Sequence, residues 1–184
     1  DVDPGLDDRR RNEHVGVACG LMGQFAVAFG VADHALLLDC RSLEHRPVPI
    51  PAETSLVICD SGAPRALADS AYNARRAECA RAVAALRELD PSITALRDVT
   101  LVLLQAGRDR LSDSEYRRAR HVVSEDQRVL ETVAALSAGD LDAVGEAFAA
   151  SHRSLRDDFE VSSPPLDALV GIATAVDGVI GSRL

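Results

Sequence analysis

The later two-thirds of this 184-residue chain repeats its apolar residues at helical spacing, and this periodicity limits the possible fold more than any other feature. Apolar residues three and four positions apart lie on one side of a helix, so each such segment predicts an amphipathic helix. Residues that begin or end helices stand between the segments. They predict helices over 65–89 before Asp90-Pro91, over 101–107 after Thr100, from Asp113 or Ser114 to Gly139, from Asp140 onward, and from Ser163-Pro164 to Gly178.

Three short apolar runs in the first third of the chain predict strands. HALLLDC (34–40) and SLVICDSG (55–62) are continuous, as in strands that are covered on both faces. RSLEHRPVPIP (41–51) contains prolines, which cannot donate to a neighbouring strand, so it is predicted as an edge strand or the exit from one. A few early strands followed by several helices predict the α+β fold class. Only 3% of the residues are aromatic and none is Trp, so the core is expected to be aliphatic and rich in alanine.

Charge and composition exclude several classes of function. The formal net charge of −9 provides no basic stripe, so we expect no nucleic-acid partner. No apolar run reaches the roughly 20 residues of a membrane span, so no membrane partner is expected. All 20 basic residues are Arg, which excludes a lysine-based phosphate loop or Schiff base. The four cysteines form no CxxC pair and are predicted to be buried, reduced thiols of a cytoplasmic protein.

Taken alone, the candidate motifs define no reaction. The two glycines of CGLMGQF (19–25) match neither GxxxxGK[ST] nor GxGxxG, so they indicate a turn or a close packing contact. His121 lies beside an apolar helical stripe and is predicted to be a hydrogen-bonded core or boundary side chain rather than a metal ligand. The arginines of YRRAR (116–120) are predicted to lie on a charged helix face. The acidic run of RDDFE (156–160) fits a solvated salt-bridge network or, alternatively, a cation site.

Five stretches together resemble the galactokinase family, within the GHMP superfamily of small-metabolite kinases. They follow the family's order and spacing from Asn12 to Arg183. DHALLLDCRSLE, YNARRAEC and SLRDDFEVS are specific to galactokinases within that superfamily. The stretches are NEHVGVACGLMGQF (12–25), DHALLLDCRSLEHRPVPIP (33–51), ADSAYNARRAECARAV (68–83), YRRARHVVSEDQRVLE (116–131) and SHRSLRDDFEVSSPPLDALV (151–170).

The resemblance implies a two-lobed α+β fold that phosphorylates the C1 hydroxyl of galactose with ATP and Mg²⁺. Residues 1–54 would form the end of the N-terminal, ATP-binding lobe, and residues 55–184 the C-terminal lobe, truncated at its end. The family's sugar-gripping segment and its ATP-phosphate loop would precede residue 1, and its late glycine-rich motif would follow GVIGSRL (178–184). By this resemblance the chain itself contains no cofactor-binding residue.

The resemblance also assigns roles to individual residues. Gly20 matches the glycine whose backbone approaches the sugar, and Tyr72 matches the tyrosine that contacts galactose. Gly23 falls where the pattern CGxMDQF has the Asp proposed as general base, so no catalytic residue is intact. Arg11 stands where the pattern ENEFVG has its first Glu, which helps to hold Mg²⁺, so no metal ligand is intact either.

These departures leave open whether the chain is an enzyme. The first hypothesis is a galactokinase-family enzyme that is impaired or inactive, because loss of a general base lowers a rate by about 10²–10⁴-fold and loss of a ligand weakens Mg²⁺ binding. The second is a non-catalytic, galactokinase-like protein that binds galactose or regulates a partner. The third is a degenerate fragment without a selected function.

Overall fold

The computed structural model of the chain describes residues 21–62 and 69–184, with side chains described for 21–62 and 73–184. These residues contain six α-helices, two 3-10 turns and one two-stranded antiparallel sheet, which confirms the predicted α+β class. They form two compact units. The first runs to Val57 and includes Leu136–Gly139, and the second takes the described residues of Ile58–Ala135 and Asp140–Leu184. The predicted lobe boundary after residue 54 concerns a whole galactokinase and stays a prediction.

The first unit combines a helix with a β-hairpin. Its elements are α1 (Met22–Phe29), β1 (His34–Leu38) and β2 (His45–Pro49). The two strands pair antiparallel, which confirms two of the three predicted strands. The helix packs on the hairpin through its two phenylalanine rings, which contact the imidazole ring of His45 in β2. The ring centroids of Phe29 and His45 lie 4.3 Å apart, and those of Phe25 and His45 lie 5.8 Å apart. Phe25 is buried in this contact.

Two prolines make β2 an edge strand, as predicted. At the end of the hairpin the Ile50 amide donates to the Asp33 carbonyl at 3.0 Å. Hydrogen-bonded and non-hydrogen-bonded positions alternate along an antiparallel pair. Because Ile50 is hydrogen-bonded, Pro49 and Pro47 occupy non-hydrogen-bonded positions, where the backbone nitrogen faces away from β1. The prolines therefore cost the hairpin no hydrogen bond, and they remove donors from its outer edge.

The prediction of a third strand over SLVICDSG (55–62) is wrong, because these residues form no strand. A strand needs a partner for its backbone groups, and the hairpin is the only sheet in the described part of the chain. Ile58 is consequently 97% exposed. The prediction of buried cysteines is wrong for Cys40 and Cys59, which are free thiols but lie exposed in the hairpin turn and in this uncovered segment. Cys79 is half-buried, and Cys19 lies outside the described residues.

Five helices follow, and two of them begin after capping side chains that the sequence predicts. The five helices are α2 (Asp69–Arg87), α3 (Leu101–Ala106), α4 (Asp113–Ala138), α5 (Leu141–Asp157) and α6 (Pro164–Thr174). Thr100 accepts a hydrogen bond from the Leu103 amide, and Asp140 accepts one from the Ala143 amide. Helix α4 is capped by Ser112 instead of the predicted Asp113 or Ser114, because the Ser112 hydroxyl accepts from the Glu115 amide. Gly139 follows α4 with a φ of +70°, the left-handed conformation that favours glycine after a helix.

The last helix is shorter than predicted. It ends at Thr174 instead of continuing to Gly178. The Val176 amide donates to the Ala173 carbonyl, three residues back, so the chain tightens into a turn there. No helix within residues 21–62 and 69–184 is both long and apolar enough to cross a membrane.

The core of the second unit is aliphatic, as the composition predicts. Its buried members are Ala82, Leu86, Ile93, Leu96, Val99, Leu104, Leu111, Ala119 and Val123. Helix α4 contributes only from its first half. Val129 and Leu130, in its second half, are exposed. A 26-residue helix is about 39 Å long, so α4 reaches beyond the core that its first half covers.

The segment after α6 lies directly against α5. A Cβ placed on Gly145 would overlap the Ile180 carbonyl oxygen, and a Cβ on Gly181 would lie 3.1 Å from the Gly145 Cα. The Leu184 amide donates to His152 Nδ1 at 3.4 Å, and Arg183 approaches Glu125 at 3.9 Å. The backbones of α5 and residues 180–184 therefore meet without an intervening side chain.

This contact predicts that Gly145→Ala destabilises the second unit by about 1–3 kcal/mol, because the added methyl group meets rigid backbone. Gly171→Ala is the matched control, since Gly171 also lies within a helix but has no atom within 4 Å of an added Cβ. That control should be neutral or stabilise by about 0.5–1 kcal/mol. Thermal unfolding measures both variants. Equal melting temperatures for the two would contradict the close approach.

Candidate functional site

Two of the four residues that the resemblance assigns to the site lie in the described part of the chain. Arg11 and Gly20 fall outside the described residues. Tyr72 lies in the first turn of α2, where the backbone is described and the side chain is not. Gly23 lies in α1 of the first unit and is described in full. The roles assigned to these four residues remain predictions.

Gly23 is the second residue of α1, and it is exposed. Among the described residues, no heavy atom lies within 4 Å of a Cβ added there, so a side chain at this position would not require them to repack. The first turn of α1 contains no acidic residue, and Leu21 at its N-cap provides no side-chain hydrogen bond. A carboxylate would be favoured here by the helix dipole. As the chain stands, this position has no group that accepts a proton.

The acidic run at residues 156–160 forms a salt-bridge network, which is the first of its two predicted alternatives. Asp157 pairs with Arg156 at 2.7 Å, and Asp158 pairs with Arg120. Glu160 pairs with Arg118 at 2.6 Å. Across the described residues, no three His, Cys, Asp or Glu side chains are grouped so that they would hold a metal ion.

The strongest polar assembly is the Arg118 cluster, which we define as Arg75, Glu78, Arg117, Arg118 and Glu160. The Arg118 Nε donates to Glu78 at 2.8 Å, its Nη2 donates to Glu160 at 2.6 Å, and its Nη1 donates to the Asp158 carbonyl. Arg75 adds a 2.7 Å bond to Glu78, and Arg117 adds a 2.7 Å ion pair to Glu160. The cluster thereby joins α2, α4 and the segment after α5.

The prediction of an exposed face for the arginines of YRRAR (116–120) is wrong for Arg118, which is 1% exposed. Burial of a guanidinium requires partners for its donors, and all three of its nitrogens are bonded. A sequence signal exists: Arg118 stands four residues before Val122, and thus on the apolar side of α4. Its partners are about 40 residues away on either side, and spacing alone does not reveal them.

Ion pairing sets the charge of the two carboxylates in the cluster. Burial by itself would raise the pKa of Glu78, but hydrogen bonds from Arg118 and Arg75 hold that pKa below its usual value of 4.5. The hydrogen bond from Arg118 likewise lowers the pKa of Glu160. Both side chains are therefore ionised at neutral pH. The cluster is a network of fixed charges, and neither carboxylate is poised to exchange a proton near pH 7.

His121 is a buried, hydrogen-bonded core residue, as predicted. Its Nδ1 lies 2.9 Å from the Ser154 hydroxyl, and that hydroxyl donates to Asp158 at 3.1 Å. Since Ser154 has one proton to give, His121 donates from Nδ1. The ring stacks on Phe159 with centroids 4.5 Å apart. The trio resembles a Ser-His-Asp set in composition only, because all three side chains are buried.

Burial lowers the pKa of His121 below 6.5, although Glu125 and Asp158 act against this shift and Arg128 and Arg183 reinforce it. The imidazole of His121 therefore gains a proton near pH 6.5 in the unfolded state, but only at lower pH in the folded state. As a result, the free energy of unfolding falls as the pH drops from 7 to 5. We expect His121→Gln to flatten this part of the profile. The measurement is the free energy of unfolding in urea at several pH values between 5 and 7. This range lies above the folded-state pKa values of Glu78 and Glu160. An unchanged slope in the variant would contradict the assignment.

A groove of about 540 Å³ opens beside α2 in the second unit. Its walls are mostly aliphatic, and Arg76 and Arg87 are its charged residues. The Arg87 Nε donates to the Ile93 carbonyl at 2.8 Å, so this arginine braces the loop after α2. Gly23, which is the only one of the four assigned residues described in full, does not line this groove.

Known proteins were compared with the chain as a whole. No protein-family model matches it. It is 51% identical over 173 residues to a galactokinase of Roseiflexus sp., and 51% identical over 170 residues to a galactokinase of Chloroflexus aurantiacus. The matches cover 94% and 92% of this chain but 44% of each relative. The crystal structure of Lactococcus lactis galactokinase complexed with galactose matches 98% of this chain and 47% of its own, with 34% identity and a TM-score of 0.87. The chain thus spans less than half the length of these relatives.

Proposed function

The chain belongs to the galactokinase family, and on that premise we propose that it is part of a galactose kinase whose phosphoryl transfer is impaired. The reaction of the complete protein would move the γ-phosphoryl group of ATP to O1 of galactose. Galactose is the proposed substrate because the similar Lactococcus lactis enzyme was crystallised with it. Gly20 and Tyr72 are the proposed sugar contacts within this chain. We also propose a cytoplasmic location.

The observation that carries this proposal is Gly23. When O1 attacks the phosphoryl group, its hydroxyl proton must leave, and a general base normally accepts it. The family pattern has Asp at this position, whereas this chain has an open, exposed helix position without a side chain. The missing base lowers the expected rate by about 10²–10⁴-fold.

ATP and Mg²⁺ are implied by the family, but the residues of this chain do not fit a metal site. Within the described ranges no cluster of possible ligands exists, and the carboxylates of residues 157–160 are committed to arginines. By the resemblance, the metal-ligand position is Arg11, whose positive charge opposes a cation. We therefore derive no step from the nucleotide or the metal.

A second candidate function is sugar binding without catalysis. It is favoured by the combination of an absent base at Gly23 with retained family residues at Gly20 and Tyr72. Such a protein would recognise galactose and would signal or regulate through a partner. The two functions share the sugar contacts and differ only in turnover.

The test is a pair of measurements on the complete protein. We expect galactose to release heat on binding at millimolar concentration, and ATP-dependent formation of galactose 1-phosphate to be slower than about one turnover per second, the low end of typical enzymes. Turnover at or above that rate would contradict the impairment. Binding without any turnover would favour the second candidate, and absence of binding would reject both.

A further inference from the structure

The two halves of α2 are held in place by different interactions. In its second half, Ala82 and Leu86 are fully buried in the aliphatic core. In its first half, within residues 73–78, the only side chains that are not exposed belong to Arg75 and Glu78. Within residues 73–78, apolar packing therefore does not hold α2. The ion pairs of Arg75 and Glu78 link this part of the helix to the rest of the unit.

Those ion pairs connect the first half of α2 to two distant parts of the chain. Arg118 reaches from α4 with a buried guanidinium and bonds Glu78 at 2.8 Å. Glu160 follows α5 and lies 3.5 Å from Arg75. Its backbone has a φ of +54°, a conformation that a residue other than glycine keeps only where surrounding contacts hold it. A single guanidinium thus joins α2, α4 and the segment after α5 at this end.

We propose that the Arg118 cluster positions the first turn of α2, and with it Tyr72, for galactose. This inference rests on the proposed function, since Tyr72 matters in this way only if the protein binds the sugar. The first amides of a helix lack partners within the helix, so an unanchored end frays. Anchors at Arg75 and Glu78, about one and two turns after Tyr72, oppose that fraying. Arg118, Glu78 and Glu160 are positioning residues and do not contact the sugar.

Glu160→Gln tests the proposal with little change in shape. It removes a charge that Arg75, Arg117 and Arg118 share, and it lies outside α2, so any effect on that helix must pass through the cluster. In the chain, we expect amide hydrogen exchange of residues 70–78 to accelerate about five- to tenfold while residues 82–86 keep the parent rate. In the complete protein, we expect the Kd for galactose to rise about five- to tenfold by calorimetry.

Arg81→Gln is the matched control. It breaks a 2.7 Å ion pair between α2 and Glu115 of α4, beside the half of α2 that the core holds, and should change neither exchange at 70–78 nor the Kd. Parent-like exchange in Glu160→Gln overturns the proposal, and so does an equal acceleration in Arg81→Gln. Faster exchange with an unchanged Kd overturns the positioning role. If the complete parent protein binds no galactose, the proposed function fails, whereas the exchange data still decide whether the cluster holds the helix end.

Discussion

Replacing Gly23 by Asp in the complete protein should raise the rate of galactose 1-phosphate formation by about 10²–10⁴-fold, the usual contribution of a general base. The new carboxylate would accept the O1 proton as the phosphoryl group is transferred. A gain of this size through one substitution requires that the complete protein still binds Mg²⁺ despite Arg11 at the metal-ligand position. The measurement is steady-state turnover with saturating ATP and galactose.

The structure indicates that this substitution is tolerated. Among the described residues, no heavy atom lies within 4 Å of a Cβ at position 23, so the new side chain displaces none of them. Position 23 is in the first turn of α1, where a negative charge gains about 0.3–1 kcal/mol from the helix dipole. Removing a glycine from a helix also favours folding. A failure of Gly23→Asp to act would therefore not be explained by unfolding.

Gly23→Asn is the matched control, because it fills the same space and accepts no proton at neutral pH. We expect Asn to leave the rate at the parent level. A rate increase shared by Asn and Asp would contradict the role of a base. Arg11→Glu combined with Gly23→Asp restores the second family residue, and the pair should exceed Gly23→Asp alone. If neither variant gains activity, the assignment of these positions is wrong.

Helix boundaries were predictable where a local side chain determines them. Thr100 and Asp140 cap their helices through side-chain hydrogen bonds to nearby amides, and Gly139 supplies the positive φ after α4. Each of these interactions spans three or four residues, so the sequence contains all of its information. Helix α1 was not predicted, because Gly23 weakens helix propensity and its short apolar run has no helical period.

Features that depend on distant partners were not predictable. The run at 55–62 has the composition of a strand, but a strand forms only beside another, and the described residues supply none for it. Arg118 gave the appearance of a surface residue because its partners Glu78 and Glu160 are 40 and 42 positions away. Gly23 is the opposite case: its significance came from resemblance to a family, and the structure adds only that the position is open.

Replacing Arg118 by Ala should have the largest effect on stability among the substitutions considered. Removing one partner of a buried ion pair costs about 3–5 kcal/mol, because the other charge stays buried without compensation. We expect the lower value of about 3 kcal/mol, since Arg75 continues to pair with Glu78 and Arg117 continues to pair with Glu160. For a chain of this length, that corresponds to a fall in melting temperature of roughly 6–12 °C.

Arg117→Ala is the matched control for this prediction. Arg117 is the preceding residue on α4 and also pairs with Glu160 at 2.7 Å, but its side chain is 41% exposed. An exposed ion pair contributes less than about 1 kcal/mol, so Arg117→Ala should lower the melting temperature little. Similar losses in the two variants would contradict the distinction between them. A large fall in melting temperature for Arg118→Ala alone would mean that the cluster stabilises the fold through the buried guanidinium. Each variant removes one positive charge from the same turn of α4, so charge alone would not explain the difference.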